Sequence, residues 1–150
     1  MPAAIWLGGL VLPLVIYAAR ALGYLLDPSV PYDTEHTYLP LARQLIDNAS
    51  ALWSNPDSLK SAPGTYVYMA LLGADLEQIK MWNLVMALSV VVMLFDIARR
   101  AAGPAAAAAT AWLLALSPAL IRLSVYPMVE PPSLFLLTLW LWTTAFAIDS

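Results

Sequence analysis

Four long apolar runs constrain the fold of this chain more than any other feature of its sequence. They cover residues 3–22, 81–98, 104–121 and 132–148. A membrane-spanning helix needs about 20 mostly apolar residues to cross roughly 30 Å of hydrocarbon, and each run is close to that length. The sequence therefore predicts an all-α, polytopic membrane protein: a single module over residues 1–150 with about four transmembrane helices.

The composition of the chain agrees with a membrane environment. Hydrophobic residues make up 61% of the chain and charged residues 11%, whereas a soluble domain is roughly half apolar and a quarter charged. So many apolar residues also exclude intrinsic disorder. The net charge is −3 and no basic stripe occurs, so we expect no nucleic-acid partner. The chain has no cysteine, which excludes disulfides and thiolate metal sites.

The first apolar run is interpreted as a retained span rather than a signal peptide. It lacks a basic segment before the apolar residues, and it is longer than the roughly 7 to 15 apolar residues of a signal sequence. Gly23 is expected to close this span. Arg20 lies close enough to the end of the span to extend into the lipid headgroups.

The positions of the basic residues predict how the chain is oriented. Arg99 and Arg100 lie between the second and third runs, and cytoplasmic span ends carry an excess of Lys and Arg. We therefore expect a multi-pass protein of the cell or inner membrane with a cytoplasmic N-terminus. The loop 23–80 and the connection that contains Glu130 are then external. Asp96 precedes the two arginines by three and four residues and is expected to pair with either.

The chain has four spans or five depending on whether the segment Thr65–Gly73 crosses the membrane. It has only about nine apolar or aromatic residues, too few to cross the membrane unaided. A fifth span would also move Arg99 and Arg100 to the outside. We favour four spans, with Thr65–Gly73 as a juxtamembrane or re-entrant segment.

The external loop contains an amphipathic pattern that predicts a helix from near Thr37 to Trp53. Apolar residues recur there at three- and four-residue spacing, with polar residues on the opposite face. Pro40 fits in the first turn, where its missing N–H costs little. Because the helix joins two spans, we expect it to lie on the outer membrane surface.

Two carboxylates and an imidazole stand just before this helix. Asp33 and Glu35 can hold a divalent cation through oxygen ligands, or one of them can act as a general base towards an acceptor hydroxyl. The alternative is a structural role, since Asp33, Thr34 or Glu35 would also serve as a cap or a dipole partner in the first turn of a helix. His36 alone is typical of a surface residue.

Glu130 and Arg122 flank the external connection before the last span. A carboxylate so close to hydrocarbon is costly and is often functional, although the start of a helix also favours a negative charge. Arg122 can pair with Glu130 or bind a lipid phosphate through its planar guanidinium group. The alternative is that the Arg122 side chain extends into the lipid headgroups without binding a specific ligand.

The turn before Tyr66 is a further candidate for ligand binding. Lys60 stands immediately before the sequence Ser61-Ala62-Pro63-Gly64, and such a turn lets a lipid headgroup approach the backbone and Tyr66. The alternative is a plain helix start, which the residues themselves favour.

The order of these features resembles the N-terminal part of C-type membrane glycosyltransferases, the superfamily of protein O-mannosyltransferases and aminoarabinose transferases. The shared features are an acidic box before Tyr-x-x-x-Ala, a Pro-Gly-aromatic segment, and Asn at the start of the next span. The matching residues are Asp33–Tyr38 with Ala42, residues 62–66, Leu72 and Gly73, Asn83, residues 97–100 with Gly103, residues 116–118, and Glu130.

The resemblance implies transfer of a sugar from a polyprenyl-phosphate donor to an acceptor hydroxyl on the non-cytosolic face, with inversion. Asp33 or Glu35 would be the general base, and Glu130 would match the second acidic position. Arg122 or Lys60 would counter the leaving phosphate, with Tyr66 and His36 near the substrate. The alternative function is a non-catalytic accessory subunit that keeps this scaffold within a larger membrane complex.

Overall fold

The structure is a computed structural model that describes residues 6–50, 63–128 and 130–149. These residues form helices and turns and contain no strand, which confirms the all-α class. We number the helices α1 to α7 in chain order. Their bounds are α1 Leu7–Leu25, α2 Leu39–Asp47, α3 Pro63–Leu71, α4 Leu76–Ala102, α5 Pro104–Leu116, α6 Pro118–Val125 and α7 Glu130–Asp149.

Two of the described helices, α1 and α4, are long and apolar enough to cross a membrane. They contain 19 and 27 residues, which corresponds to roughly 28 and 40 Å at about 1.5 Å per residue. The helices α5 and α6 together form a third candidate, with a bend of 67° between them. The predicted run 132–148 lies within α7, a helix of 20 residues.

The apolar run 104–121 folds as two helices and not as one. Ser117 separates them: its backbone is extended, and its side-chain oxygen accepts a hydrogen bond from the Leu120 N–H as the N-cap of α6. Pro118 follows as the first residue of α6, and a proline disfavours helical backbone at the residue before it. The expected end of this span at residue 121 therefore falls inside α6.

Several other expected boundaries are also corrected by the structure. α1 passes through Gly23 and ends at Leu25. α4 begins at Leu76, so Lys80 lies in this helix and not in the loop 23–80. Asp75 explains the early start, because its carboxylate accepts hydrogen bonds from the N–H groups of Glu77 and Gln78 as an N-cap.

The amphipathic helix is present, but both of its ends differ from the expected ones. Helical backbone starts at Tyr32, before the expected Thr37, passes through a π-helical turn, Thr34–Tyr38, and continues as α2, so Pro40 lies beyond the first turn. It ends at Asp47 because Asn48 is extended and its side chain accepts hydrogen bonds from Ser50, a turn that competes with the helix. Trp53 lies outside the described residues.

The main core lies between α1, α4 and α5. Ala107, Ala111 and Ala115 recur at every fourth position of α5 and are completely buried. Small residues of this kind let membrane helices approach closely. A second cluster joins α2 to α3 and the start of α4, through Leu39, Ala42, Tyr66, Met69 and Ile79 among others. The bundle thus has one packed helical core and a smaller satellite at one end.

Candidate functional site

A polar cluster lies where the end of α1, the start of α4, the end of α6 and the turn before α7 meet. Lys80, with only 6% of its surface exposed, donates a hydrogen bond to the carbonyl oxygen of Asp27. This contact joins α4 to the segment that follows α1. The hydrogen bonds from Ser29 hold the pKa of the Asp27 carboxyl below its usual value, and the charges of Lys80 and Arg122 act in the same direction.

Asn83 is the centre of this polar cluster. Its side-chain amide donates to the carbonyl oxygen of Tyr126 at 2.7 Å, and its carbonyl oxygen accepts from the Tyr68 hydroxyl at 2.9 Å. A completely buried amide needs such partners, because an unpaired one costs free energy. Asn83 therefore fixes the turn before α7 and the helix α3 to the same point of α4.

The acidic segment before α2 is fastened to the same turn. Thr34 is completely buried and donates a hydrogen bond to the carbonyl oxygen of Pro127 at 2.6 Å. Asp33 and Glu35, on either side of Thr34, are exposed. The structure thus brings the Asp33–Glu35 segment next to the turn that leads into Glu130.

His36 lies beside this acidic pair at the surface. Its ring stacks on Tyr32 at 4.1 Å between ring centroids, and its Nδ1 atom lies 3.1 Å from the carbonyl oxygen of Tyr32. Tyr32 itself is 73% exposed. The result is an exposed aromatic pair adjacent to two carboxylates.

Arg122 lines an open cleft of about 580 Å³ between α6 and the segment after α1. Its Nε atom donates to the Tyr126 hydroxyl at 3.2 Å, and its guanidinium group lies over the same ring. Hydrogen bonds from Ser29 and Arg122 lower the pKa of the Tyr126 phenol. The other lining residues are mostly apolar: Val30, Pro31, Ala119, Leu123 and Met128, with Ser29. A single cation on an apolar wall suits an amphiphile with an anionic group.

Glu130 lines a separate, smaller cavity of about 70 Å³ on the other side of Leu123. Tyr17 and Ser124 also border this cavity, and the rest of its lining is apolar apart from Glu130 itself. Leu123 borders both spaces. The Arg122 cleft and the Glu130 cavity are therefore neighbours that share this α6 residue.

Not every candidate residue reaches this cluster. Arg122 bonds to Tyr126, and among the described residues no ion pair joins it to Glu130. Tyr66 is 1% exposed and packs in the α2–α3 cluster, so its ring is part of the core rather than of an open surface. Lys60 lies outside the described residues.

Sequence reasoning missed Thr34, Lys80 and Tyr126 as parts of the site. Tyr126 lies directly before Pro127 in the connection between α6 and α7, and Lys80 directly precedes the apolar run of α4. An ionisable residue at the edge of an apolar run was the available signal for Lys80. Nothing in the local sequence indicates that Thr34 bonds to a residue 93 positions away.

The described part of the chain has no group of three or more His, Asp or Glu side chains arranged to hold a metal ion. Asp33 and Glu35 supply at most two such ligands, so a divalent cation there would need water or substrate oxygens to complete its coordination. Comparisons of the chain with protein-family models, with curated proteins and with solved structures find no match.

Proposed function

We propose that this chain is a glycosyltransferase-like membrane module that transfers a sugar from a polyprenyl-phosphate donor to an acceptor hydroxyl on the non-cytosolic face. The four apolar segments, α1, α4, the bent pair α5–α6, and α7, are its spans. Arg99 and Arg100 lie on the cytosolic side. The acidic segment, the Arg122 cleft and Glu130 then share the opposite surface.

The observation that carries this proposal is the Thr34–Pro127 hydrogen bond. It ties the Asp33–Glu35 segment to the turn that connects Arg122 and Tyr126 with Glu130. Three acidic candidates and one guanidinium group are thereby collected at one end of the bundle. The open cleft of about 580 Å³ that Arg122 lines has the apolar walls that a prenyl chain requires.

The reaction follows from the chemistry of these groups. Asp33 or Glu35 accepts the proton of the acceptor hydroxyl as general base. The acceptor oxygen then attacks the anomeric carbon from the face opposite the phosphate, the bond from carbon to phosphate oxygen breaks, and polyprenyl phosphate leaves with the electron pair. Arg122 stabilises the charge on the leaving phosphate. The configuration at the anomeric carbon is inverted.

Single substitutions of the acidic segment test the proposal. With a short-chain polyprenyl-phosphate sugar as donor, Asp33→Asn or Glu35→Gln is expected to reduce transfer about 100-fold or more, as for loss of a general base. Asp47→Asn is the matched control, because Asp47 is an exposed carboxylate at the far end of α2. Undiminished transfer in both single variants and in the double variant would refute the assignment.

A second candidate function, a non-catalytic accessory subunit, is favoured by the size of the Glu130 cavity. A volume of about 70 Å³ accommodates only several water molecules, at about 10–15 Å³ of such volume for each. In that case gentle purification followed by native mass spectrometry should yield a stoichiometric complex with another membrane protein. A monomeric chain that transfers sugar would eliminate this candidate.

A further inference from the structure

The end of the bundle opposite the Arg122 cleft carries a second charged cluster. Asp96 lies 16 positions after Lys80 on α4, which is roughly 24 Å along the helix at about 1.5 Å per residue. Asp96 accepts hydrogen bonds from Arg99 at 2.6 Å and from Arg100 at 2.8 Å. The Trp142 indole of α7 donates to the same carboxylate at 3.0 Å. The predicted pairing of Asp96 with the two arginines is thus confirmed for both.

The side chains of Asp96, Arg99 and Arg100 together carry one positive charge, because two guanidinium groups surround one carboxylate. Arg99 uses its Nε and one Nη atom on Asp96 and keeps 34% of its side chain exposed. Arg100 lies over the Phe146 ring, with 4.8 Å between its central carbon and the ring centroid. The carboxylate holds both cations in fixed positions, and fixed guanidinium groups bind phosphate oxygens well.

An apolar cleft of about 380 Å³ runs from Asp96 between α1, α4 and α7. Its walls include Trp6 just before α1, Leu10 of α1, Phe95 of α4 and Trp142 of α7. Trp6 packs against Phe95 with 5.5 Å between ring centroids. Tryptophans beside a cationic cluster are typical of the membrane interface, where a headgroup meets its acyl chains.

We propose that this end of the bundle binds one anionic phospholipid. The phosphate contacts Arg99 and Arg100, and one acyl chain occupies the cleft between Trp6 and Trp142. Charge complementarity selects an anionic headgroup over a zwitterionic one, because the cluster brings two guanidinium groups to one carboxylate. The site is independent of the sugar-transfer proposal, since it shares no residue with the Arg122 cleft or the Glu130 cavity.

The test compares brominated phosphatidylglycerol with brominated phosphatidylcholine of the same acyl chains. Both are titrated into the full chain in a neutral detergent, and quenching of tryptophan fluorescence is recorded. We expect phosphatidylglycerol to quench at concentrations about 10-fold lower, equivalent to about 1.4 kcal/mol. Arg99→Gln should abolish this preference, whereas Arg43→Gln, which changes an exposed arginine of α2, should retain it. Equal affinities for the two lipids, or a preference that persists in Arg99→Gln, would overturn the proposal.

Tryptophan variants locate the bound lipid without relying on the arginine variant. Trp6→Phe should remove part of the quenching by phosphatidylglycerol, while Trp82→Phe, at the start of α4, serves as the control from the other end of the bundle. An equal loss in both variants would place the lipid elsewhere and overturn the assignment of the cleft. Inorganic phosphate at the same concentrations should not compete. Competition by phosphate alone would show a headgroup site without an acyl-chain site, which also contradicts the proposal.

Discussion

The Asn83 side-chain amide donates a hydrogen bond to the carbonyl oxygen of Tyr126 at 2.7 Å, across 43 positions of the chain. The same side chain accepts a hydrogen bond from Tyr68 at 2.9 Å. Asn83 therefore connects α3, α4 and the turn before α7 through one buried group. The position of Glu130 relative to the acidic segment depends on this turn, so Asn83 supports the candidate site without being part of its surface.

Replacing Asn83 with Leu should destabilise the protein strongly. The substitution leaves the Tyr126 carbonyl and the Tyr68 hydroxyl without this partner, and an orphaned buried group costs about 1–3 kcal/mol. Thermal unfolding in detergent should show a large decrease in the melting temperature. Ser89→Ala is the control, because within the described residues the Ser89 hydroxyl donates only to the Val85 carbonyl oxygen of the same helix. A decrease of equal size in both variants would contradict the role assigned to Asn83.

The raised pKa of Tyr68 predicts how the free energy of unfolding depends on pH. Partial burial raises the pKa of Tyr68 to about 12, whereas an unfolded tyrosine ionises near pH 10. Between these values the unfolded chain loses its phenolic proton and the folded chain keeps it. The free energy of unfolding therefore decreases as the pH rises from about 10 towards 12.

Melting temperatures measured at pH 9 and pH 11.5 check this expectation. Tyr68→Phe should reduce the loss of stability between the two pH values, because phenylalanine does not ionise. It should also lower the stability at pH 9, since the Asn83 side chain loses a donor. Tyr38→Phe on the π-helical turn before α2 is the control. If both variants keep the full decrease at high pH, the burial of Tyr68 is not its cause.

Local sequence predicts the helical class and the positions of α1 and α4 to within a few residues at each end, because apolar length is a local property. It also predicts the pairing of Asp96, because i+3 and i+4 spacing is local. The bend at Ser117 also has a local cause, the serine cap followed by proline, but hydrophobic length alone conceals it. The contacts of Thr34 with Pro127 and of Lys80 with Asp27 join distant residues. Such contacts arise from helix packing, and a single sequence carries no direct record of them.

The adjacent residues Gly8 and Gly9 provide a matched test of how α1 packs on α5. A Cβ atom on Gly9 would lie 3.1 Å from the Cβ atom of Ala108, whereas one on Gly8 would meet nothing within 4 Å. Gly9→Val should therefore force the helices apart and cost about 1–3 kcal/mol, as for overpacking. Gly8→Ala should be neutral or slightly stabilising, because alanine favours the helix.

Thermal unfolding in the same detergent distinguishes the two glycine variants. The Trp112 indole donates to the Gly8 carbonyl oxygen at 3.0 Å, a backbone contact that a side chain at Gly8 leaves in place. The difference between the variants therefore reports the contact at Gly9 together with the larger volume and lower helix propensity of valine. Equal melting temperatures for Gly9→Val and Gly8→Ala would show that α1 and α5 do not pack this closely.

The sidedness of the candidate site can be measured because the chain has no cysteine of its own. Single cysteines introduced by Ser29→Cys, Glu130→Cys and Ala101→Cys all replace exposed residues. In sealed vesicles, a membrane-impermeant maleimide should label the first two from one face and Ala101→Cys from the other.

Between Ser29 and Glu130 the proposed spans are α4 and the bent pair α5–α6, an even number of crossings. Labelling of Ser29→Cys and Glu130→Cys from opposite faces would require an odd number. The acidic segment and Glu130 could not then act on the same lipid-linked sugar, and the proposed transferase function would fail even if each residue proved important on its own.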